Sequence, residues 1–462
     1  MILKRLGIEN FKCYKEATFE FADGITILIG KNGSGKSSLL AAVRDVLSFI
    51  FSKSDNSWGH TSLANGIPGL GVANIPMQYV YREQGQRPEN EVKLEAYAIW
   101  DSLELDWQIL KTSSDRAKVK STLYKMAYQS FMSKYETYGL LPLFAYYSDR
   151  YPHVSTSITA AVRRTMEAED LPASNWGYFQ WDYISSCTYM WRMRYINIFN
   201  RQNGDKQLKN DYLSQNKELP TILANRLERQ QLEIDYIAKF LKKFTDNTID
   251  GLSDLSEDWK IRDLRVNGSD IFYMELVFED GSTRRWEELP AGYERLLSIV
   301  FDLAYRSFIL NRGQKEDPFG LVIIDEIDLH LHPSLEQDVL IRFRETFPKL
   351  QFILATHSPL VISNFAQDEH HKVIKMKYEQ NEYTHEELTD TYGLDYNLTL
   401  DEYMDTRPYN IIIDELKEKY VRLKRRGKEE ETNGVKKRLS EIMSESRFEE
   451  TMRQLDERIS SI

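Results

Sequence analysis

The order of hydrophobic and polar positions predicts α/β segments in both halves of the chain, with a mostly helical stretch between them. Near the start, alternation over Ala17–Phe21 and the apolar run Ile25–Ile29 predict strands, and helical spacing then predicts a helix through residues 39–50. Residues 51–76 are rich in Gly, Ser and Asn and predict a loop. A hairpin region follows, with apolar segments at Met77–Tyr81, Val92–Trp100 and Trp107–Leu110.

From Asp115 to about Phe244 the pattern is mostly helical. One amphipathic helix of about 25 residues is predicted after Pro220, and because its stripe is too short for a long coiled coil, we expect it to pack on the body of the protein. Beyond it the chain returns to α/β patterning and ends in a charged helical tail from Pro408. The predicted elements there are strands at Trp259–Val266, Ile271–Phe278, Leu321–Ile324 and Gln351–Ala355, an outer strand at His371–Lys377, and helices at Tyr293–Leu310 and Gln337–Thr346.

Composition narrows the class of protein. The 462 residues are 42% hydrophobic and 28% charged, which excludes wholesale disorder, and the net charge of −11 argues against a surface coated by nucleic acid. Two cysteines, Cys13 and Cys187, cannot build a disulfide framework and indicate a reducing compartment. The apolar runs stay far below the roughly 18 residues of a membrane helix. We therefore expect a cytoplasmic protein that does not engage a membrane.

The strongest local motif is a glycine-rich loop, Gly30–Ser37, that follows a predicted buried strand and opens a helix. It fits the pattern G-x-x-x-x-G-K-[ST], in which glycines let backbone N–H groups surround phosphates and a lysine faces the β- and γ-phosphates. The Ser37 hydroxyl completes the shell of a Mg²⁺ ion. The predicted phosphate-binding residues are Asn32, Gly33, Ser34, Gly35, Lys36, Ser37 and Ser38.

Two further strand ends carry polar side chains. Asp325 and Glu326 follow the apolar run Leu321–Ile324, and a buried carboxylate there is costly unless it meets a cation. We expect Asp325 to share Mg²⁺ with Ser37, and Glu326 to stand where a general base orients the attacking water. His357, after the strand Gln351–Ala355, is the candidate for a hydrogen bond to the γ-phosphate.

In order and residue type, these motifs resemble ABC-type ATPases of the SMC/RecF/OLD group. Ile8–Lys12 resembles that group's first strand, whose basic residue (here Lys12) reaches the nucleotide, and Asp325–Pro333 resembles the Walker B motif and D-loop, with Asp328 in the D-loop. His357 matches the switch histidine. The separation of Lys36 from Asp325, 325 − 36 = 289 residues, resembles a head domain split by an insertion.

Leu289–Arg295 occupies the place of the family's signature loop, which contacts the nucleotide bound to the partner subunit. The resemblance gives this role to Ala291, Gly292 and Tyr293. Pro290 stands where the family usually has a serine hydroxyl, so backbone donors at Gly292 and the helix N-terminus remain, and slow hydrolysis is expected. Gln78 is the candidate for the family's Q-loop glutamine.

Residues 141–150 and 391–397 resemble segments of compact bacterial ATPases from anti-phage operons, including Septu-type and retron-linked systems. The expected fold is α/β, an ABC-type P-loop ATPase head of mixed sheets around a central helix, with a helical insertion and a helical C-terminal extension. The predicted boundaries are an N-terminal lobe at 1–112, the insertion at 113–250, a C-terminal lobe at 251–400 and the extension at 401–462.

The resemblance implies an ATP- and Mg²⁺-dependent regulatory ATPase that works as a homodimer or higher homo-oligomer. It would control a separate effector, expected to be a nuclease encoded nearby, through ATP-dependent closure of the dimer. One alternative is a RecF-like or SMC-like DNA-repair ATPase that clamps DNA. Another is a nucleotide-bound scaffold with negligible hydrolysis.

Two residue clusters leave a structural and a functional interpretation open. Aromatic and basic residues interleave over Tyr189–Arg201, which favours packing with rim arginines over a DNA groove. His370 and His371, beside Asp368 and Glu369, are the residue types of a metal site, yet one short cluster is more typical of a surface.

Overall fold

The structure is a computed structural model. It describes residues 1–52, 62–73, 75, 81, 91–112, 119–150, 159–182, 188–246, 259–268, 271–314, 316–406 and 410–460. The chain divides into two compact units, Met1–Gly393 and Leu394–Ile462. The finer division into lobes and an insertion stays a prediction.

The described residues form mixed helices and strands, numbered here in chain order. The strands are β1 Ile2–Phe11, β2 Tyr14–Glu20, β3 Ile25–Ile29, β4 Glu91–Trp100, β5 Leu103–Thr112, β6 Leu143–Tyr147, β7 Ile261–Asn267, β8 Tyr273–Phe278, β9 Thr283–Arg285, β10 Phe319–Ile324, β11 Lys349–Ala355, β12 His371–Glu379 and β13 Glu382–Leu388. The helices are α1 Lys36–Leu47, α2 Lys125–Tyr138, α3 Ala160–Glu167, α4 Thr188–Ser214, α5 Thr221–Thr245, α6 Ala291–Leu310, α7 Pro333–Thr346, α8 Pro359–Ser363, α9 Tyr396–Leu398, α10 Ile411–Arg425, α11 Glu429–Ile442 and α12 Glu445–Ser460.

An antiparallel sheet in the order β2-β1-β4-β5 forms one layer of the first unit. Its strands alternate between buried and exposed positions, as in β4, because one face packs on the core and the other meets solvent. The predicted hairpin is confirmed by the pairing of β4 with β5. Of the predicted segment Met77–Tyr81, all but Tyr81 lies outside the described residues.

The second layer is a six-stranded sheet in the order β13-β12-β3-β11-β10-β6. All its neighbouring pairs are parallel except β12 and β13. The three central strands read as continuous apolar runs because helices cover both faces of a parallel sheet. Helix α1 packs against strands of both sheets and is the predicted central helix.

Two strands of this sheet were not predicted. β12 was expected at the outside, but β13 lies beyond it and pairs with it antiparallel. β6 lies in the stretch expected to be mostly helical, and it pairs in parallel with β10. That expectation is wrong for β6, because a five-residue apolar run has no period that separates a strand from a buried helix.

Helices α4, α5 and α6 pack together on the body of the first unit. α5 spans 25 residues after Pro220 and confirms the amphipathic helix. Its Tyr236 hydroxyl lies 2.9 Å from the hydroxyl of Ser307 in α6, which confirms packing on the body. A three-stranded sheet, β7-β8-β9, precedes α6, and Asp280 and Gly281 lie in the turn between β8 and β9.

The second unit contains the helices α10, α11 and α12. They share a small core of buried apolar residues: Tyr420, Val421, Leu423, Val435, Leu439, Met452 and Leu455. The predicted helical tail is thereby confirmed. Across the described ranges of both units, no helix is long and apolar enough to cross a membrane.

Candidate functional site

The glycine-rich loop connects β3 to α1 and has a backbone that only glycine adopts readily. Gly30, Gly33 and Gly35 have φ values of 144°, 84° and 101°, in the region that disfavours side chains. A Cβ at Gly30 would also collide with the Met376 carbonyl, and one at Gly35 with the Tyr14 hydroxyl. The Tyr14 hydroxyl donates to the Gly35 carbonyl at 3.0 Å, which fixes the loop where the helix begins.

Lys36 and Ser34 lie buried inside the loop. The Lys36 Nζ donates to the carbonyls of Gly30 at 2.6 Å and Lys31 at 3.3 Å, so the ammonium faces the hollow of the loop. Burial lowers the pKa of Lys36, while Asp325, Glu326 and Asp328 oppose that shift. The buried Ser34 Oγ has no hydrogen-bond partner within the described part of the chain. A buried ammonium and an unsatisfied hydroxyl in a glycine cradle fit a bound phosphate chain.

Asp325 stands at the end of β10, next to the start of α1. Its N–H donates to the Tyr147 carbonyl of β6 at 2.8 Å, and its carboxylate accepts a hydrogen bond from the Ser37 hydroxyl. Burial and the nearby Asp149 carboxylate raise the pKa of Asp325, and Ser37 and Lys36 act against that shift. A serine hydroxyl and a carboxylate held together are the ligand types that Mg²⁺ takes beside phosphates.

Glu326 follows in a strained backbone conformation, with φ of 52°. Its carbonyl accepts a hydrogen bond from Arg295 Nη2 at 3.1 Å, and the same nitrogen donates to the Asp325 carbonyl at 2.9 Å. Arg295 Nη1 lies 3.4 Å from the carbonyls of Ser148 and Asp149. Arg295 is only 1% exposed, so this one buried guanidinium joins α6 to the ends of β10 and β6.

Asp328 ties the segment after β10 to the segment after β11. Its Oδ1 accepts hydrogen bonds from the Thr356 hydroxyl at 2.6 Å and from the His357 N–H at 3.2 Å. These bonds bring His357 to the same edge of the parallel sheet as Asp325 and Lys36. The His357 side chain is half-buried there.

The signature-like loop packs on the D-loop of its own chain. Gly292 lies so close to the His330 carbonyl that a Cβ would stand 2.5 Å from that oxygen. The Tyr293 ring stacks on Trp259 at 3.8 Å, so it serves packing within this chain. Ala291 is exposed, and Pro290 caps α6 without a side-chain hydrogen bond, which leaves the first N–H groups of the helix available to an anion.

The remaining predicted phosphate ligands surround the loop. Lys12 lies in the turn between β1 and β2, where burial and Arg44 lower its pKa and Asp45 and Asp325 raise it. Asn32 and Gly33 are exposed at the tip of the loop, and Ser38 is half-buried in α1. Gln78 lies outside the described residues.

Sequence reasoning missed Arg295 and the end of β6. The signal for Arg295 was an arginine at the end of the signature-like loop, on the apolar face of the helix that begins there. For β6, the signal was the apolar run Leu143–Tyr147 ending in Ser148 and Asp149.

Both ambiguous clusters contain residues that pack or hydrogen-bond within the fold. In the interleaved segment, Trp191 and Tyr195 are fully buried, and Arg194 forms a buried pair with Glu233 at 2.8 Å and 2.9 Å. Packing is thus confirmed for Trp191 and Tyr195, whereas the expectation of an arginine at the rim is wrong for Arg194, because its charge is neutralised by Glu233 inside the fold. His371 Nδ1 accepts from the Ile25 N–H at 3.0 Å. Within the described ranges, no group of three or more metal-ligating side chains occurs.

The model of the RecF/RecN/SMC N terminal domain matches residues 2–385 of the chain. The chain belongs to this family. This RecF/RecN/SMC-family ATPase is 26% identical over 393 residues to the retron Vc95 probable ATPase of Vibrio cholerae, a match covering 79% of this chain and 72% of that protein.

It is also 36% identical over 101 residues to the Septu protein PtuA of Bacillus mycoides, covering 22% of this chain and 14% of that protein. The solved SMC head domain from Thermotoga maritima matches with a TM-score of 0.43 and 11% identity, over 84% of this chain and 100% of that one.

Proposed function

We propose that this ATPase is the regulatory subunit of an anti-phage defence system. It binds ATP with Mg²⁺, hydrolyses it slowly, and controls a separate effector, such as a nuclease encoded nearby, through closure of a homodimer. The similarity to a retron ATPase and to a Septu protein supports the defence setting. The family membership and the phosphate loop support the nucleotide chemistry.

The observation that carries the ATP site is the convergence of distant segments at one sheet edge. Ser37 hydrogen-bonds Asp325, and the charges of Asp325, Glu326 and Asp328 act on Lys36 and raise its pKa against the effect of burial. These residues are about 290 positions apart in sequence, and only the parallel sheet brings them together. We assign Lys36 to the β- and γ-phosphates, and Ser37 with Asp325 to the metal.

The bound metal would neutralise phosphate charge and orient the phosphate chain. Glu326 is the candidate base that orients the attacking water. Arg295 holds the strained backbone of Glu326 and so fixes the point from which its side chain extends. His357, fixed through its N–H on Asp328, is the candidate donor to the γ-phosphate. Together these groups orient water and stabilise charge, which is most of what phosphoryl transfer requires from a protein.

Completion of the site requires a second copy of the chain. We assign the first N–H groups of α6, at Ala291 and Gly292, to the γ-phosphate held by the opposite copy. Pro290 supplies no hydroxyl there, so we expect turnover well below the ~10 s⁻¹ typical of enzymes. A nucleotide-bound scaffold with negligible hydrolysis is the second candidate function, and the same Pro290 favours it.

The test is phage protection by cells that express this chain with its neighbouring genes. We expect Lys36→Ala to abolish both protection and ATP binding. The control is Lys15→Ala, a substitution of an exposed lysine on β2, which should preserve both. Co-purification with a neighbouring gene product, and nucleic-acid cleavage only when that product is present, would support effector control. Nuclease activity from the isolated chain that survives Lys36→Ala would contradict the proposal.

A further inference from the structure

A buried carboxylate on α6, that of Asp302, accepts hydrogen bonds from three elements of the first unit. The side chain is completely buried, and its Oδ1 accepts from the Trp191 Nε1 of α4 at 2.7 Å. Its Oδ2 accepts from the Tyr147 hydroxyl of β6 at 2.7 Å and from the Arg306 Nε of α6 itself at 2.6 Å. Asp302 thus joins α4, β6 and α6 inside the fold.

The bond from the Tyr147 hydroxyl is two steps away from the metal side of the ATP site. Tyr147 is the last residue of β6, and its carbonyl accepts a hydrogen bond from the Asp325 N–H at 2.8 Å. The Asp325 carboxylate in turn accepts from the Ser37 hydroxyl. Tyr147 therefore bonds Asp302 through its side chain and Asp325 through its backbone, and so connects α6 to the proposed metal ligand.

Arg306 connects Asp302 to the same strand by a second route. Its Nη1 donates to two carbonyls within the segment 177–181, at 2.8 Å and 3.0 Å. In that segment the Trp181 carbonyl accepts from the Tyr146 N–H of β6 at 2.8 Å. The segment therefore lies along β6, and the pair of Asp302 with Arg306 holds it there.

The burial of this ion pair points to positioning rather than to net stability. The side chains of Arg306 and Asp302 are 3% and 1% exposed. Removing two charges from water offsets much of their attraction, and replacing such a pair by apolar side chains is often neutral or stabilising. Three donors in fixed directions around one carboxylate, by contrast, define a single arrangement of α4, α6 and β6.

We propose that Asp302, acting through Tyr147, is a positioning residue for the metal ligand Asp325. The bond to Asp302 fixes the Tyr147 ring and with it the end of β6, and the Tyr147 carbonyl then fixes the backbone from which the Asp325 carboxylate extends toward Ser37. The inference rests on the proposed assignment of Asp325 to Mg²⁺. Groups that orient a metal ligand commonly set metal affinity by about tenfold or more.

The test measures how much Mg²⁺ strengthens nucleotide binding. Binding of the non-hydrolysable adenosine 5′-(β,γ-imido)triphosphate to the full chain is measured by calorimetry, once in EDTA and once with excess Mg²⁺. The ratio of the two dissociation constants, called the Mg²⁺ factor below, states how much more tightly the bound nucleotide holds Mg²⁺ than the free nucleotide does, because the coupling of two ligands is reciprocal. This factor reports on the metal ligands without any turnover.

Tyr147→Phe removes only the hydroxyl that bonds Asp302. Because Tyr147 acts one step behind the metal ligand, we expect this change to lower the Mg²⁺ factor about fivefold and to leave the affinity in EDTA unchanged. A change at Asp302 itself would leave the buried Arg306 charge unpaired, so Tyr147 is the better position for the test. Asp325→Asn tests the assignment on which the inference rests and should abolish the effect of Mg²⁺.

The matched control is Tyr236→Phe on α5, a helix that carries none of the residues assigned to ATP. It removes another buried hydroxyl that contacts α6, 2.9 Å from the Ser307 Oγ. Its melting temperature should fall at least as far as that of Tyr147→Phe, while its Mg²⁺ factor stays at the wild-type value. A wild-type factor in Tyr147→Phe, or an equal fall in Tyr236→Phe, overturns this inference alone. A wild-type factor in Asp325→Asn overturns the assignment of the metal ligand as well.

Discussion

Arg295 offers the sharpest test of how the fold positions the ATP chemistry. Its guanidinium bonds the carbonyls of Asp325 and Glu326 at 2.9 Å and 3.1 Å and approaches two more carbonyls at 3.4 Å. Lysine keeps the charge but presents a single nitrogen, which cannot serve both pairs of carbonyls. Since a hydrogen bond to a charged group contributes about 1.5–3 kcal/mol, we expect Arg295→Lys to lower the free energy of unfolding by about 2–3 kcal/mol.

The functional consequence should exceed the loss of stability. When the guanidinium no longer holds the Glu326 carbonyl, the strained backbone can relax and displace the carboxylate, whereas Lys36 and the phosphate loop are untouched. We expect the turnover of ATP per folded molecule to fall tenfold or more, which corresponds to about 1.4 kcal/mol in the barrier, and the affinity for ATP to stay within threefold. Phosphate release at saturating ATP and equilibrium nucleotide binding measure the two quantities.

A matched control separates positioning from general destabilisation. Arg342 in α7 is also buried, and it donates to Asp338 at 2.7 Å and to the Phe244 carbonyl at 3.0 Å, away from the ATP site. Arg342→Lys should cost similar stability in urea denaturation and leave turnover unchanged. If Arg295→Lys loses stability to the same extent but keeps wild-type turnover, Arg295 is a structural residue only.

Three further predictions concern the site and the sheet. Lys36→Ala should abolish ATP binding in calorimetry and leave the unfolding midpoint close to wild type, because among the described residues the ammonium hydrogen-bonds carbonyls of the loop. Unchanged ATP affinity would contradict the assignment of Gly30–Ser37 as a phosphate loop. Glu326→Gln should accumulate an ATP-bound dimer in size-exclusion chromatography with light scattering, and a monomer that keeps full turnover would refute its role as a base. Burial lowers the pKa of His371 below 6.5, so the unfolded chain binds the extra proton and stability should fall as pH drops below about 6.5. His371→Asn keeps an acceptor for the Ile25 N–H and should flatten this dependence between pH 7 and 5 in denaturant titrations.

The sequence predicts those strands that are buried on both faces, because burial there requires mostly apolar residues. β3, β10 and β11 are mostly apolar because both their faces are covered, and the sequence therefore predicts each of them. β13 was missed because nearly all its side chains are polar and exposed, and its backbone is held by pairing with β12. An edge strand of this kind carries no period that a single sequence can display.

In the candidate site, too, local motifs were predictable from the sequence and contacts between distant segments were not. The phosphate loop is a local motif, and spacing alone indicated its residues. The link from Arg295 to the carbonyls of Ser148 and Asp149 joins positions about 147 apart, and no local pattern encodes it. Tyr293 was expected to reach the partner's nucleotide, and its stacking on Trp259 depends on where the β7–β8 hairpin lies.

The order of strands in the parallel sheet also determines when the ATP site can form during synthesis. β3 carries the phosphate loop, and both its neighbours, β11 and β12, begin only at residues 349 and 371. At about 5–20 residues per second, a ribosome needs roughly 16–64 seconds to add the 349 − 29 = 320 residues between β3 and its first partner. In that interval the β1–β2 hairpin can close, because its contacts are local, while the apolar β3 stays unpaired. The apolar segment Ile25–Ile29 therefore has no sheet partner until synthesis reaches the last quarter of the chain.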